Sequence, residues 1–217
     1  MKKLELWQML TDLLFFLESA RRSSLIEGLE DVEKIIEFRS DLRKKINTLQ
    51  QACEKEYGAK TTYYIIFPIV VYCDESVSMF LAQNSVNWPK MQKEIFNTQD
   101  GGEEFYELLE QVLQHPTYPE LVYQVNYLIL KAGYKGKLVD DTGQQSRDGY
   151  LTKLEKLLSK YIKPVTNESA EYDPDSDSIT FRGIMKAICR KHFYIPIAAG
   201  LAVIYLVSLW VIAAMVR

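Results

Sequence analysis

The sequence has few of the residues that most often carry catalysis or bind metals. Its 217 residues include two histidines and three cysteines. His115 and His192 have no metal-ligand spacing, and neither stands beside a candidate nucleophile. An odd number of cysteines without metal-type spacing fits a reducing compartment. We therefore predict no catalytic residue, no metal site and no cofactor, and we predict that the protein is not an enzyme.

Acidic residues are absent from the C-terminal part of the chain. Residues 181–217 carry five basic residues and no acidic one, whereas residues 1–180 carry 21 basic and 29 acidic residues, a net charge of −8. A negative balance over the larger part argues against nucleic acid as a partner. The two parts are therefore expected to face different surroundings.

Charged residues are missing altogether from residues 193–216, a stretch of 24 residues rich in Ile, Leu, Val and Ala. A helix of this length spans roughly 36 Å, which is enough to cross the ~30 Å hydrocarbon layer of a bilayer. A helix buried in a soluble core is the alternative, and it is uncommon at this length. We predict that residues 193–216 form a transmembrane helix with the lipid bilayer as its partner.

The charges that flank this segment predict its orientation. Only Arg217 follows the segment, and four basic residues precede it, namely Arg182, Lys186, Arg190 and Lys191. The positive-inside rule then places the N-terminal part in the cytoplasm and the C-terminus across the membrane. Residues 166–192 form an acidic tether followed by this basic juxtamembrane stretch, and the tether should be flexible.

The sequence predicts an all-α domain of about seven helices over residues 1–165, because apolar residues recur there at three- and four-residue steps. Gly58 should end the second helix, and Pro68 should kink the third helix or mark its start. The stretch 133–149 is polar and contains glycine, which predicts a loop. The predicted helices are 3–20, 28–57, 62–83, 90–97, 103–114, 120–132 and 150–162.

One acidic pair interrupts an apolar helix. Asp74 and Glu75 follow the run from Ile65 to Tyr72 and precede Val77 and further apolar residues. Carboxylates in such a place need solvent, a cation or hydrogen-bond donors, because burying them alone is costly. An internal salt bridge and a polar cleft that captures a partner protein both satisfy this need. We expect lysine at either position to disturb assembly more than folding.

Three sequence blocks resemble the DotU/TssL (IcmH-like) family of secretion-system inner-membrane proteins. The first block, residues 67–75 (Phe-Pro-Ile-Val-Val-Tyr-Cys-Asp-Glu), contains the acidic pair. The second covers residues 94–106, from Glu-Ile-Phe-Asn-Thr to Gly-Gly-Glu-Glu-Phe-Tyr, and the third covers residues 127–137, which begin Tyr-Leu-Ile-Leu. Gly101 stands where the family usually has alanine. Three blocks in this order, followed by one C-terminal span, make a specific combination.

The resemblance implies a cytoplasmic domain of two packed helical bundles, tail-anchored in the bacterial inner membrane with its C-terminus in the periplasm. It also implies a structural role in a type VI or type IVB secretion apparatus, with an IcmF/TssM-like inner-membrane protein and a baseplate protein as partners, and with self-association. The implied partner-binding cleft is lined by the acidic pair, and we add the acidic residues of the second block. The cleft residues are then Asp74, Glu75, Glu103 and Glu104.

A tail-anchored tethering protein of the SNARE type is the alternative function. Such a protein also has a helical cytoplasmic part and one C-terminal span. It requires a long heptad run that leads directly into the membrane, and Pro164 with the acidic tether interrupts any such run. The sequence therefore favours the secretion-system scaffold.

Overall fold

The computed structural model describes residues 3–22, 32–82 and 88–161. Over these ranges the chain forms α-helices and no strand, so the all-α prediction is confirmed for this part. The chain divides into two units, Met1–Thr166 and Asn167–Arg217, and all of the described residues belong to the first. The predicted transmembrane helix and the four basic residues before it lie outside the described residues. The helices are α1 Lys3–Arg22, α2 Val32–Leu81, α3 Met91–Phe96, α4 Gly101–Gln114, α5 Glu120–Lys131 and α6 Asp141–Leu158.

The long helix α2 consists of two antiparallel arms. Gly58 interrupts it with a non-helical backbone, φ 75° and ψ 164°. Arg39 and Asp74 lie on opposite sides of this break, and both bond to α3. A straight helix would separate these two residues by roughly 52 Å, which a six-residue helix cannot bridge. The first arm (residues 32–57) and the second arm (residues 59–81) therefore pack side by side, as two of the predicted helices.

The second arm does not start at Pro68, which corrects one of the two predictions made for this residue. The second arm runs through Pro68 without leaving the helix. Proline costs this arm one backbone hydrogen bond, but Phe67 and Ile69 on either side are completely buried, so packing holds the helix together. Gly58 alone breaks the chain direction, because its positive φ suits a residue without a side chain.

Both α4 and α6 begin earlier than predicted. α4 starts at Gly101 and α6 starts at Asp141, so residues 141–149 are helical and not part of a loop. The Asp140 carboxylate accepts a hydrogen bond from the Gly143 amide at 2.7 Å, which makes Asp140 the N-cap of α6. A cap of this kind contributes about 1 kcal/mol, which offsets the poor helix propensity of a glycine.

α5 is the central helix of this unit. Its residues 121–130 are all buried, and it packs against α2 and α6. The Trp7 indole of α1 donates to the Gln124 side chain of α5 at 3.0 Å. α1 also packs on the first arm, where the rings of Phe16 and Phe38 stack with centroids 5.2 Å apart. The core is thus built around α5 and the two arms of α2.

One described helix, Glu33–Leu81, contains an apolar stretch long enough to cross a membrane. That stretch is 61% buried inside the protein, and Gly58 bends the helix back on itself. Both observations are typical of the core helix of a globular domain. This helix is separate from the segment at residues 193–216 that the sequence predicts to span the bilayer.

Candidate functional site

The Asp74 carboxylate is buried near the end of the second arm and caps α3. Only 2% of the residue is exposed. Its Oδ1 accepts hydrogen bonds from the Trp88 indole at 2.8 Å and from the Met91 amide at 2.9 Å, and its Oδ2 accepts from the Gln92 amide at 2.8 Å. The two amides are the first ones of α3, which lack partners inside that helix. Asp74 therefore fixes the start of α3 against α2.

The Glu75 carboxylate binds a different segment of the chain. Its Oε1 accepts from the Lys135 amide and its Oε2 from the Gly136 amide, each at 2.8 Å. Lys135 and Gly136 belong to the turn that follows α5. Consecutive residues of a helix point about 100° apart, so Asp74 and Glu75 reach opposite walls. The acidic pair holds α3 on one side and this turn on the other.

Close packing explains two glycines of the second block. A Cβ on Gly102 would lie 3.1 Å from the Gly136 carbonyl carbon, and Gly136 itself has a φ of +52°. A Cβ on Gly101 would lie 2.5 Å from Oε1 of Gln92, which is buried and donates to the Gln99 carbonyl. The space of an alanine at position 101 is therefore taken by the Gln92 side chain.

These contacts surround a cleft of ≈ 380 Å³. Its lining comes from all three of the sequence blocks that carried the family resemblance, although the blocks span residues 67–137 of the chain. The cleft is thus surrounded by buried side chains, by the hydrogen bonds of two carboxylates and by the close contacts of two glycines. The residues lining the cleft are Val71, Asp74, Glu75, Ser78, Met79, Ala82, Lys90, Gln92, Gly102, Tyr134 and Gly136.

Glu103 and Glu104 do not line this cleft. Glu104 accepts a hydrogen bond of 2.5 Å from the Tyr63 hydroxyl, so it connects α4 to the second arm. Burial, followed by this bond to Glu104, raises the pKa of the Tyr63 hydroxyl. Glu103 is exposed beside the lining residue Gly102. The structure therefore brings two of the four predicted cleft residues together.

Electrostatics at the acidic pair are set by burial. Burial raises the pKa of the Asp74 carboxyl above its ordinary value, against the lowering effect of its three hydrogen bonds and of nearby Lys90. Burial, with Glu75 nearby, also raises the pKa of the Tyr134 hydroxyl on the opposite wall. The sequence left open an internal salt bridge for the pair, and the donors found are instead amides and an indole.

Several residues of the site were not predicted from the sequence. Trp88, in a stretch expected to be a plain loop, is 5% exposed and donates to Asp74. Gln92 and Tyr134 were not singled out either, although Tyr134 lies inside the third block. A tryptophan within a short polar loop is the signal that could have indicated a buried anchor, since so large an apolar side chain seldom stays in solvent.

The remaining reactive side chains do not form a site in the described ranges. No group of three or more His, Cys, Asp or Glu side chains there is placed to hold a metal ion. Cys53 and Cys73 are buried free thiols, and burial raises the pKa of Cys53 to about 12. A thiol with so high a pKa is a poor nucleophile at neutral pH. The cleft is thus the main candidate for function.

Comparisons with known proteins agree with the sequence blocks. The family model for type VI secretion system protein DotU matches residues 5–216 of the chain. The solved structure of DotU from Francisella novicida is similar, with a TM-score of 0.63 and 30% sequence identity, over 72% of this chain and 99% of that one. No curated protein matches the chain. A family match over nearly the whole length shows that this chain belongs to the DotU family of type VI secretion system proteins.

Proposed function

We propose that this protein is a non-enzymatic, membrane-anchored scaffold of a type VI secretion apparatus, and that its cleft docks partner proteins. The convergence of the three sequence blocks on one cleft is the observation that carries the proposal. The acidic pair, the paired glycines of α4 and the turn after α5 are far apart in sequence, yet each of them shapes the cleft. The cleft offers polar groups and space without a nucleophile or metal ligand set.

The proposed anchor is the segment at residues 193–216, in the bacterial inner membrane with the N-terminal unit in the cytoplasm and the C-terminus in the periplasm. The four basic residues before the segment support this orientation. The last described residue of the first unit lies away from the cleft. Tyr161, the last described residue, lies against Tyr123 near the start of α5, with ring centroids 6.2 Å apart. The cleft lies beyond the other end of α5, roughly 18 Å away.

The proposed partners are the IcmF/TssM-like inner-membrane protein and a baseplate protein of the same apparatus, together with further copies of this chain. A helical unit without catalytic groups fits such a role, because docking needs a shaped surface and not a reacting centre. A cleft open at the surface suits a protein segment better than a small molecule, since pockets for small ligands enclose most of the ligand.

Co-purification from membranes tests the proposal. The tagged full-length chain is expressed with the IcmF/TssM-like protein and the baseplate protein of its own gene cluster, and the partners retained in mild detergent are measured. Ser78→Trp fills the cleft and keeps the hydrogen bonds of Asp74 and Glu75, whereas Gln145→Trp places the same side chain on the exposed face of α6. We expect Ser78→Trp to reduce retention of at least one partner and Gln145→Trp to leave it unchanged. Failure of the wild-type chain to retain either protein contradicts the proposal.

A further inference from the structure

The carboxylates of the acidic pair are occupied inside the protein. Asp74 accepts three hydrogen bonds and Glu75 accepts two, all between 2.8 and 2.9 Å. A partner that bound to Asp74 in their place would leave the buried Met91 and Gln92 amides without acceptors, which costs about 1–3 kcal/mol for each group. At Glu75 a partner would have to displace two amide hydrogen bonds. The acidic pair therefore builds the two walls of the cleft and is poorly placed to attract a basic partner.

The exposed charges at the edge of the cleft are lysines. Lys90 lines the cleft, and Lys135 and Lys137 flank the lining residue Gly136; all three are exposed. We call these three residues the lysine rim. Among the residues that the structure describes, the ion pairs join Glu94 to Arg39 and Arg43, and Lys131 to Glu155, and none involves the rim. The amines of the rim thus remain available to a partner.

Carboxylates lie close to the rim as well, but most of them are less exposed than its amines. Asp74 is buried, Glu75 and Glu18 are half-buried, and Glu103, next to Gly102, is exposed like the three lysines. The wider chain is negative, with a net charge of −8 over residues 1–180. A cationic edge on an otherwise anionic unit gives an acidic partner one favourable place to bind, and charge complementarity of this kind contributes specificity and association rate.

An apolar side chain lies next to the rim. Met79 is 56% exposed, and it lines both the cleft and an adjoining hollow of ≈ 100 Å³ that Leu14 and Leu17 also line. A flexible thioether accommodates different apolar partners, and methionine is common on binding surfaces for this reason. The edge of the cleft therefore combines three amines with one adaptable apolar contact.

We propose that the lysine rim and Met79 form the surface that binds a partner protein, and that the partner supplies an acidic segment with an apolar residue. This inference rests on the proposed function, because it specifies which groups of the cleft meet the partner. It reverses the charge that the acidic pair alone suggests, since Asp74 and Glu75 position the walls and the lysines make the contact.

A charge-reversal experiment on the full-length chain tests the inference. The variant K90E/K135E/K137E reverses the rim, and the control K153E/K156E/K160E makes the same change of charge on three exposed lysines at the end of α6 and just beyond it. Each is co-expressed with the IcmF/TssM-like protein and the baseplate protein of its gene cluster. Retention of each protein is measured at two salt concentrations, and thermal melting is compared to verify folding. The Lys135 amide still donates to Glu75 in the rim variant.

The expected result is a loss of retention of about 10-fold or more for the rim variant, with the control and both melting curves close to wild type. Wild-type retention should also fall as salt rises, because the contact is exposed and charged. Equal retention by rim and control variants, while Ser78→Trp still blocks binding, overturns this inference and leaves the proposed function intact. If the wild-type chain retains neither protein, the proposed function fails, and this inference fails with it.

Discussion

At the scale of single residues, two neighbouring carboxylates have different tasks. Asp74 is buried and caps α3, whereas Glu75 is partly exposed and holds the turn after α5. From the sequence alone, the cost of burying charge predicted that both residues need partners. The sequence could not predict which groups these partners are. The residues around an acidic side chain do not show which distant backbone amide will contact it. The position of the site was predictable, and its internal hydrogen bonds were not.

The burial of Asp74 changes the expected effect of substitution there. In Asp74→Asn, one oxygen that accepts hydrogen bonds becomes an NH₂ group. Whichever way the amide turns, at least one of the donors from Trp88, Met91 and Gln92 faces another donor. We expect a loss of about 1–3 kcal/mol in the free energy of unfolding, measured by urea denaturation of residues 1–166. Asp148→Asn, at an exposed position of α6, should change it by less than about 0.5 kcal/mol. If Asp74→Asn also loses less than about 0.5 kcal/mol, the hydrogen bonds of the Asp74 carboxylate contribute little to stability.

At the scale of the elements, breaks in the chain were harder to predict than helices. Spacing of apolar residues predicted each helix, including the two arms of α2. Pro68 and Gly58 are both helix breakers by propensity, and the sequence does not say which one tertiary packing will override. Pro68 lies within a completely buried stretch and stays helical, whereas Gly58 is exposed and turns the chain. The early start of α6 was missed because the polar, glycine-containing stretch 133–149 predicted a loop and the Asp140 cap was not considered.

The turn at Gly58 provides a test of this explanation. In Gly58→Ala the added Cβ meets no neighbouring atom. The backbone at this position, however, has φ +75° and ψ 164°, a conformation that is nearly restricted to glycine. We expect a loss of about 1–3 kcal/mol in the free energy of unfolding from backbone strain alone. Gly149→Ala is the matched control, because its Cβ also meets open space but within helix α6. That variant should gain about 0.5–1 kcal/mol. Equal effects of the two substitutions would contradict a strained turn.

Helix α3 joins the two arms, and this contact should depend on pH. A hydrogen bond from Arg39 lowers the pKa of Glu94, and burial opposes this effect less strongly. The folded chain therefore holds this proton more weakly than the unfolded chain. The contribution to stability is present above the ordinary pKa of 4.5 and disappears as pH falls through the lowered pKa.

Glu94→Gln should remove this contribution. We expect the variant to be less stable than wild type by about 0.5 kcal/mol at pH 7, since the Glu94 side chain is 45% exposed, and we expect the difference to shrink as pH falls below 4.5. Denaturation of both proteins across this pH range measures the difference. Glu107→Gln, at an exposed position of α4, is the control for replacing a carboxylate by an amide. A difference between wild type and Glu94→Gln that grows toward acid pH would reverse the assigned direction.

At the scale of the whole molecule, the proposed scaffold needs a helical unit with a free cleft and an anchor. The described residues supply the helical unit with its cleft, and Tyr161, the last of them, packs on Tyr123 near the start of α5, away from the cleft. The distribution of charge along the sequence predicted this division into a helical unit and an anchor. Acidic residues outnumber basic ones over residues 1–180 and are absent from residues 181–217. Such a division is visible in composition and does not require knowledge of packing.

The anchor itself gives the last prediction. If residues 193–216 span the bilayer, the full-length chain should stay in the membrane pellet after alkaline carbonate extraction, and residues 1–166 should be released. Val203→Arg with Leu206→Arg places two charges near the centre of the segment, at a cost of about 2.5–3.5 kcal/mol each, and should shift the protein toward the soluble fraction. Asn167→Arg with Ser169→Arg adds the same charges in the tether and should leave the protein in the pellet. Release of the unaltered full-length chain by carbonate, without detergent, would contradict the anchor, because a peripheral protein is removed by that treatment and a spanning helix is not.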